Sequence, residues 1–194
     1  GFKRGYYAPA WLMSVNLEAC DYSGVKQTIW DERVDAQSLH PGVHRLEKMI
    51  SGAYIGEIYR QALMTYFQTD TIPKLTAKDM GDILVMDNLG LTTVQIRLSR
   101  LLNRIIQLSE IEPVRNLAAA IFARTAELSG AAAYGMVRHI FPGTEIPAPM
   151  VTVEGSVLQH SRGGLLMFDD SMYSCSAFAC LPRPARDPVV MLIL

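Results

Sequence analysis

The sequence predicts an α/β domain, rich in helix and carrying a few strands, on three observations. An apolar run from Ala10 to Glu18, containing Trp11, Leu12, Met13 and Val15, follows Pro9 and precedes the turn-forming Asp21-Tyr22-Ser23-Gly24. Bounded in this way, it suits a short buried strand. Between residues 42 and 140 the apolar residues recur every three to four positions, which is the helical period. Met150 to Val153 then reads as another short strand, closed by a Gly155-Ser156 turn.

Taken in order, the first helical pattern runs from Gly42 to Phe67 through Val43, Leu46, Met49, Ile50, Ala53, Ile58, Ala62 and Leu63. Pro41 marks its start, since proline has no amide hydrogen to leave unpaired in a first turn. Glu47 falls near the positive end of this helix, where a carboxylate acceptor is favoured. Glu57, close to three turns on, shares its side and pairs with Arg60 toward solvent, and Lys48 reads as a solvated side chain. Ser51-Gly52 and Gly56 are costly inside a helix unless a ligand or a neighbouring element comes close.

Residues 69–88, with Pro73 and Gly81, read as a loop-rich connection holding one short element at Ile83 to Met86. A second helical pattern starts at Thr92 and continues to Leu108, with Arg97, Arg100 and Arg104 forming a hydrated outer row. The third, Glu110 to Ile140, has Pro113 in its first turn and Arg138 and His139 at its end, where cations complement the helix dipole. Ala118-Ala119-Ala120 and Ala131-Ala132-Ala133 give it small faces that permit close approach of a neighbour.

Composition narrows the function classes. The 194 residues, 49% of them hydrophobic, suffice for one domain with a substantial core. Eighteen Lys and Arg against 19 Asp and Glu leave a net charge of −1, too little field to gather nucleic acid or an anionic membrane. Cys20, Cys175 and Cys180 cannot close a disulfide framework and read as reduced thiols, which predicts a cytoplasmic location. Their spacing supplies no zinc ligand set, so no metal site is expected. Val189 to Leu194 is apolar but far short of the roughly 20 residues a membrane span needs, and reads as a sticky end.

The chemistry is carried by Pro41-Gly42-Val43-His44-Arg45-Leu46-Glu47-Lys48-Met49-Ile50-Ser51-Gly52-Ala53-Tyr54-Ile55-Gly56-Glu57. This run resembles the hexokinase family, whose P-G-x-x-x-[FL]-E-K-M-[IS]-S-G-x-Y-[LI]-G-E segment opens a helix of the large domain and grips sugar hydroxyls with its first Glu. Ser14-Val15-Asn16-Leu17-Glu18 resembles the family's strand ending N-x-E-W-G, with Ala19 and Cys20 where Trp and Gly are usual. Ala123-Arg124-Thr125-Ala126-Glu127-Leu128-Ser129-Gly130 resembles its R-A-A-x-L-S-[AG] helix. Val151-Thr152-Val153-Glu154-Gly155-Ser156-Val157 resembles the strand and turn beside the nucleotide, with Glu154 in place of Asp.

The resemblance implies a partial actin-like, ribonuclease H-like ATPase large domain over residues 1–160, followed by a divergent tail over residues 161–194. It implies Glu18 and Glu47 as hexose-binding carboxylates, Gly155 and Ser156 at the nucleotide, and ATP with Mg²⁺ as cofactor. No segment resembles the family's phosphate-binding turn or the motif bearing its catalytic Asp, so a missing N-terminal kinase half or a partner chain is expected to supply them. Two functions follow: ATP-dependent phosphorylation of a hexose at its 6-hydroxyl, or a non-catalytic relative serving as sugar sensor, regulatory protein or truncated relic. A third reading, without the resemblance, is a mainly helical interaction domain, and negligible strand content is its signature.

Overall fold

A computed structural model describes residues 13–16, 24–86, 89–140, 150–154 and 189–193. The described elements follow in the order β1 (Met13–Asn16), α1 (Ile29–Ala36), α2 (Arg45–Ile50), α3 (Ile55–Phe67), α4 (Ala77–Leu84), α5 (Leu91–Leu101), α6 (Leu108–Ile140), β2 (Met150–Glu154) and β3 (Val189–Ile193).

The strands form one parallel sheet in the order β1-β3-β2. Met13 to Asn16 pair with Val190 to Ile193, and Met150 to Glu154 pair with Val189 to Ile193. Parallel strands of one sheet need long crossovers in place of tight turns, and the helical stretch joins β1 to β2 across the place that β3 fills between them. The sheet agrees with the α/β expectation and counts against the mainly helical reading, whose signature is negligible strand content. It also revises the expected sticky end: Val189–Ile193 is the central strand, as suits a segment rich in β-branched residues. The rest of the expected tail, residues 161–188 and 194, lies outside the described residues.

The helical core gathers Ile55, Ile58, Tyr59 and Leu63 of α3, Met80 and Ile83 of α4, Val94 and Leu98 of α5, and Ile111, Val114, Ala118 and Phe122 of α6. Each contributor follows the three-and-four spacing of its helix, so the sequence periodicity and the buried stripe coincide. Burying a residue as large as Tyr59 requires a partner for its hydroxyl, which donates to the Val114 carbonyl at 3.0 Å.

Three expectations about helix boundaries fail, each for a local reason. The 42–67 pattern is two helices, because Ser51 adopts an extended backbone (φ −75, ψ 141) that ends α2 before α3 begins. Glu47 and Glu57 therefore stand on different helices. The second pattern stops at Leu101: Asn103 takes a left-handed φ of 49, Gln95 Nε2 donates to the Ile106 carbonyl at 2.7 Å, and the Ile106 amide donates to Ser99 Oγ at 3.0 Å. Arg104 consequently leaves the hydrated row and lies over the Phe67 ring, 3.7 Å from its centroid. Within 69–88, α4 replaces the expected loop. Thr76 and Asp79 form a capping box, with both the Thr76 amide (2.8 Å) and hydroxyl (2.6 Å) donating to Asp79 Oδ2.

Candidate functional site

Glu47 sits in the first turn of α2, whose side chains Leu46, Met49 and Ile50 are buried with Leu128 and Ala132 of α6 packed against them. Its own side chain, 31% exposed, is not buried with them, and Arg45 ahead of it is exposed. Among the described residues no hydrogen-bond donor reaches that carboxylate, and the His44 imidazole stands off it, with Nδ1 3.9 Å from Oε2. A half-sheltered carboxylate with its lone pairs uncommitted can accept from ligand hydroxyls.

The backbone leading to Glu47 is unusual for a helix start. Gly42 has a φ of 80, a conformation in which a side chain is strained, and His44 at the N-cap is left-handed with no side-chain cap. Pro41 thus belongs to a turn ahead of the helix and not to its first turn. The Gly42 amide is turned onto Asp35, donating to Oδ2 at 2.9 Å and Oδ1 at 3.1 Å. That answers why glycine stands there through the turn itself.

Lys48 corrects another expectation. Its side chain is 5% exposed, and Nζ donates to Asp35 Oδ1 at 2.5 Å and to the His40 carbonyl at 2.6 Å. Burial raises the Asp35 carboxyl, but the Lys48 hydrogen bond, the Gly42 amide and the charges of Lys48 and Arg45 outweigh it and hold it below the ordinary carboxylate value. Asp35 thereby ties the end of α1 to the loop and helix that carry Glu47. Sequence reasoning missed Asp35, since nothing local marks an acid whose partners lie seven and 13 residues away.

A second polar tie crosses the helices. Arg124 of α6 forms a bidentate pair with Asp31 of α1, Nη1 to Oδ2 at 2.7 Å and Nη2 to Oδ1 at 2.8 Å. Asp31 also completes the capping box with Thr28, whose amide and hydroxyl both donate to it at 2.7 Å. The Thr28-to-Asp31 spacing is a legible capping signal, whereas the Arg124 partner is not.

Glu57 pairs with Arg60 as expected, Nη1 to Oε1 at 2.6 Å, but the pair is half-buried and belongs to a scaffold. Arg60 Nε donates to the Ile72 carbonyl at 2.7 Å, drawing the segment after α3 back across it. Of the two explanations for small residues here, packing holds at Gly56: a Cβ there would come within 2.7 Å of Thr76 Cα and closer still to the Leu75 oxygen.

Glu18, Gly155 and Ser156 lie outside the described residues. The strands that precede them are described, and their ends are aligned: Asn16 and Glu154 both pair with Ile193. At two strand spacings, β1 and β2 therefore finish about 10 Å apart on one edge of the sheet. The carboxyl edge of a parallel sheet is where α/β folds bind ligands. Among the described residues no group of three His, Cys, Asp or Glu could hold a metal ion, and no helix is long and apolar enough to cross a membrane.

A family model described as Hexokinase matches residues 6–175. Hexokinase-9 of Oryza sativa subsp. japonica is 29% identical over 166 residues, covering 76% of this chain and 33% of that protein. Hexokinase-3 of Homo sapiens is 30% identical over 148 residues, covering 70% of this chain and 16% of that protein. The chain spans about a third of the length of the rice relative. Among solved structures, a hexokinase from Schistosoma mansoni complexed with glucose is similar with a TM-score of 0.67 at 22% identity, covering 86% of this chain and 38% of that one. A likeness at that identity shows the fold, the actin-like ATPase architecture, of which this chain carries a helix-rich part.

Proposed function

The chain belongs to the hexokinase family, and from that premise we propose that it supplies sugar-binding carboxylates and part of the nucleotide site of an ATP-dependent hexose kinase acting on the 6-hydroxyl. The observation that carries this reading is Glu47, a half-sheltered carboxylate without a donor among the described residues; its segment resembles the one in which the family carries a sugar-gripping acid, and the reading takes Glu47 as that acid. Glu18, two positions beyond the end of β1, is the second acceptor in this reading.

ATP with Mg²⁺ is the proposed cofactor. Gly155 and Ser156 directly follow β2 in the chain, and an amide and a hydroxyl at the carboxyl edge of a parallel sheet fit the needs of a nucleotide. Bound there, the nucleotide would furnish the phosphoryl group, with the metal neutralising its charge. The residues of this chain would bind and orient the sugar. The proposed setting is the cytoplasm, with residues 1–160 forming the kinase-like part.

Ala19, Cys20 and Glu154 depart from the family pattern at the sugar strand and the nucleotide strand, and they favour a second reading as a non-catalytic sugar sensor. Both readings require glucose binding through Glu47. Calorimetry should register glucose binding by the 194-residue chain, and Glu47→Gln should weaken it by at least about tenfold, since hydrogen bonds to a charged acceptor contribute about 1.5–3 kcal/mol. No heat at high glucose, or equal affinity in the variant, removes both. Nucleotide uptake separates them, the sensor binding sugar but not Mg²⁺-ATP.

A further inference from the structure

Helix α2 spans only Arg45–Ile50, and an isolated helix of that length has no stability of its own. Its N-cap residue offers no side-chain hydrogen bond. Leu46, Met49 and Ile50 press it onto Leu128 and Ala132. That apolar stripe sets which face of α2 is buried, but it supplies no directional bond to the loop ahead of the helix or to α1.

The directional anchor is Lys48. Its ammonium is held between Asp35 Oδ1 and the His40 carbonyl, while the same Asp35 carboxylate takes the Gly42 amide. Loop and helix are thus pinned from one acid on α1. Successive helix residues are about 100° apart around the axis, so with Lys48 held on α1 and Met49 on the core to one side of it, Glu47 falls on the other side, toward the open. The burial pattern agrees: Lys48 is buried, and Glu47 remains half-exposed, without a donor among the described residues.

We propose that Asp35 and Lys48 are a positioning pair for Glu47, fixing the rotation of α2 so that the Glu47 carboxylate faces a bound sugar. This rests on the sugar-binding reading, and neither member touches the sugar. Removing either should leave the α3–α6 core folded while releasing the loop and α2.

The test uses the 194-residue chain with Lys48→Met, Lys48→Arg and Asp35→Asn, read by glucose calorimetry and by amide hydrogen exchange. Lys48→Met and Asp35→Asn should each weaken glucose binding at least about tenfold, and adding Glu47→Gln to Lys48→Met should cost less than about twofold more, because a misplaced acid has little left to lose. Lys48→Arg keeps the charge and should recover most of the affinity. Exchange at residues 42–48 should quicken by more than about tenfold in Lys48→Met, while Tyr59 to Leu63 stay protected. Wild-type affinity in a folded Lys48→Met chain overturns the proposal, as does loss of protection in α3 together with α2. If the wild-type chain binds no glucose, the sugar-binding reading falls first; unchanged exchange at residues 42–48 then overturns the pair independently.

Discussion

Two lysine–aspartate pairs in this molecule have the same N–O separation, 2.5 Å, and opposite surroundings. Lys48–Asp35 joins α2 to α1 with side chains 5% and 15% exposed, while Lys78–Asp82 lies along α4 with side chains 81% and 55% exposed. The buried pair has been taken out of water, and each charge needs the other, so it fixes where two elements sit. The exposed pair could be replaced by water at either end. Asp82 raises the Lys78 ammonium above its usual value, chiefly through their hydrogen bond, yet that attraction is screened by solvent. Separation alone does not tell an ion pair's worth; the medium around it does.

The comparison breaks most visibly at Lys48. Lys48→Met leaves the Asp35 carboxylate, 15% exposed, with the Gly42 amide but without its cation, and chemical denaturation should show a loss of about 2 kcal/mol. A loss no larger than that of a surface substitution would mean that burial is not what separates the two pairs.

Acid sharpens it next. Asp35 is held below its ordinary value of 3.8 in the folded chain, so its contribution is present above that value and is lost as pH falls through the folded one. The stability gap between wild type and Asp35→Asn should be full above about pH 5 and close progressively in more acid solution. Parallel stability curves down to acid pH would contradict this linkage. At the small end stands Lys78→Ala, for which thermal unfolding should show no measurable shift. A clear drop there would erase the contrast from the other side.

Both pairs stand in the same sequence, but a local spacing rule covers only one, and only once its segment is known to be a helix. Lys78 and Asp82 are four apart on a helix, a spacing that brings side chains together by geometry alone. Lys48 and Asp35 are 13 apart, separated by a turn whose left-handed Gly42 and His44 no local pattern specifies, and so Lys48 reads as solvated. The core stripes of α3, α5 and α6 were legible because periodicity is a property of one helix. The break after Ser51 and the stop at Leu101 were not, because hydrophobic periodicity continues through both. The capping signals at Thr28-Asp31 and Thr76-Asp79 are local, yet α4 reads as loop when Pro73 and Gly81 dominate the window.

By itself the chain determined its α/β class, its family, the buried stripes of α3, α5 and α6, and the place of Glu47 near the start of a helix. Each of these rests on residues adjacent in sequence or spaced by one helical turn, where backbone geometry dictates who meets whom. The tertiary structure alone decided that Val189–Ile193 is the middle strand, that Gly56 clears space for Leu75 and Thr76, and that Asp35 and Lys48 hold the loop before Glu47. Those outcomes depend on segments brought together only when the whole core closes. The free energy of such contacts comes from shared burial, which no local stretch of sequence contains.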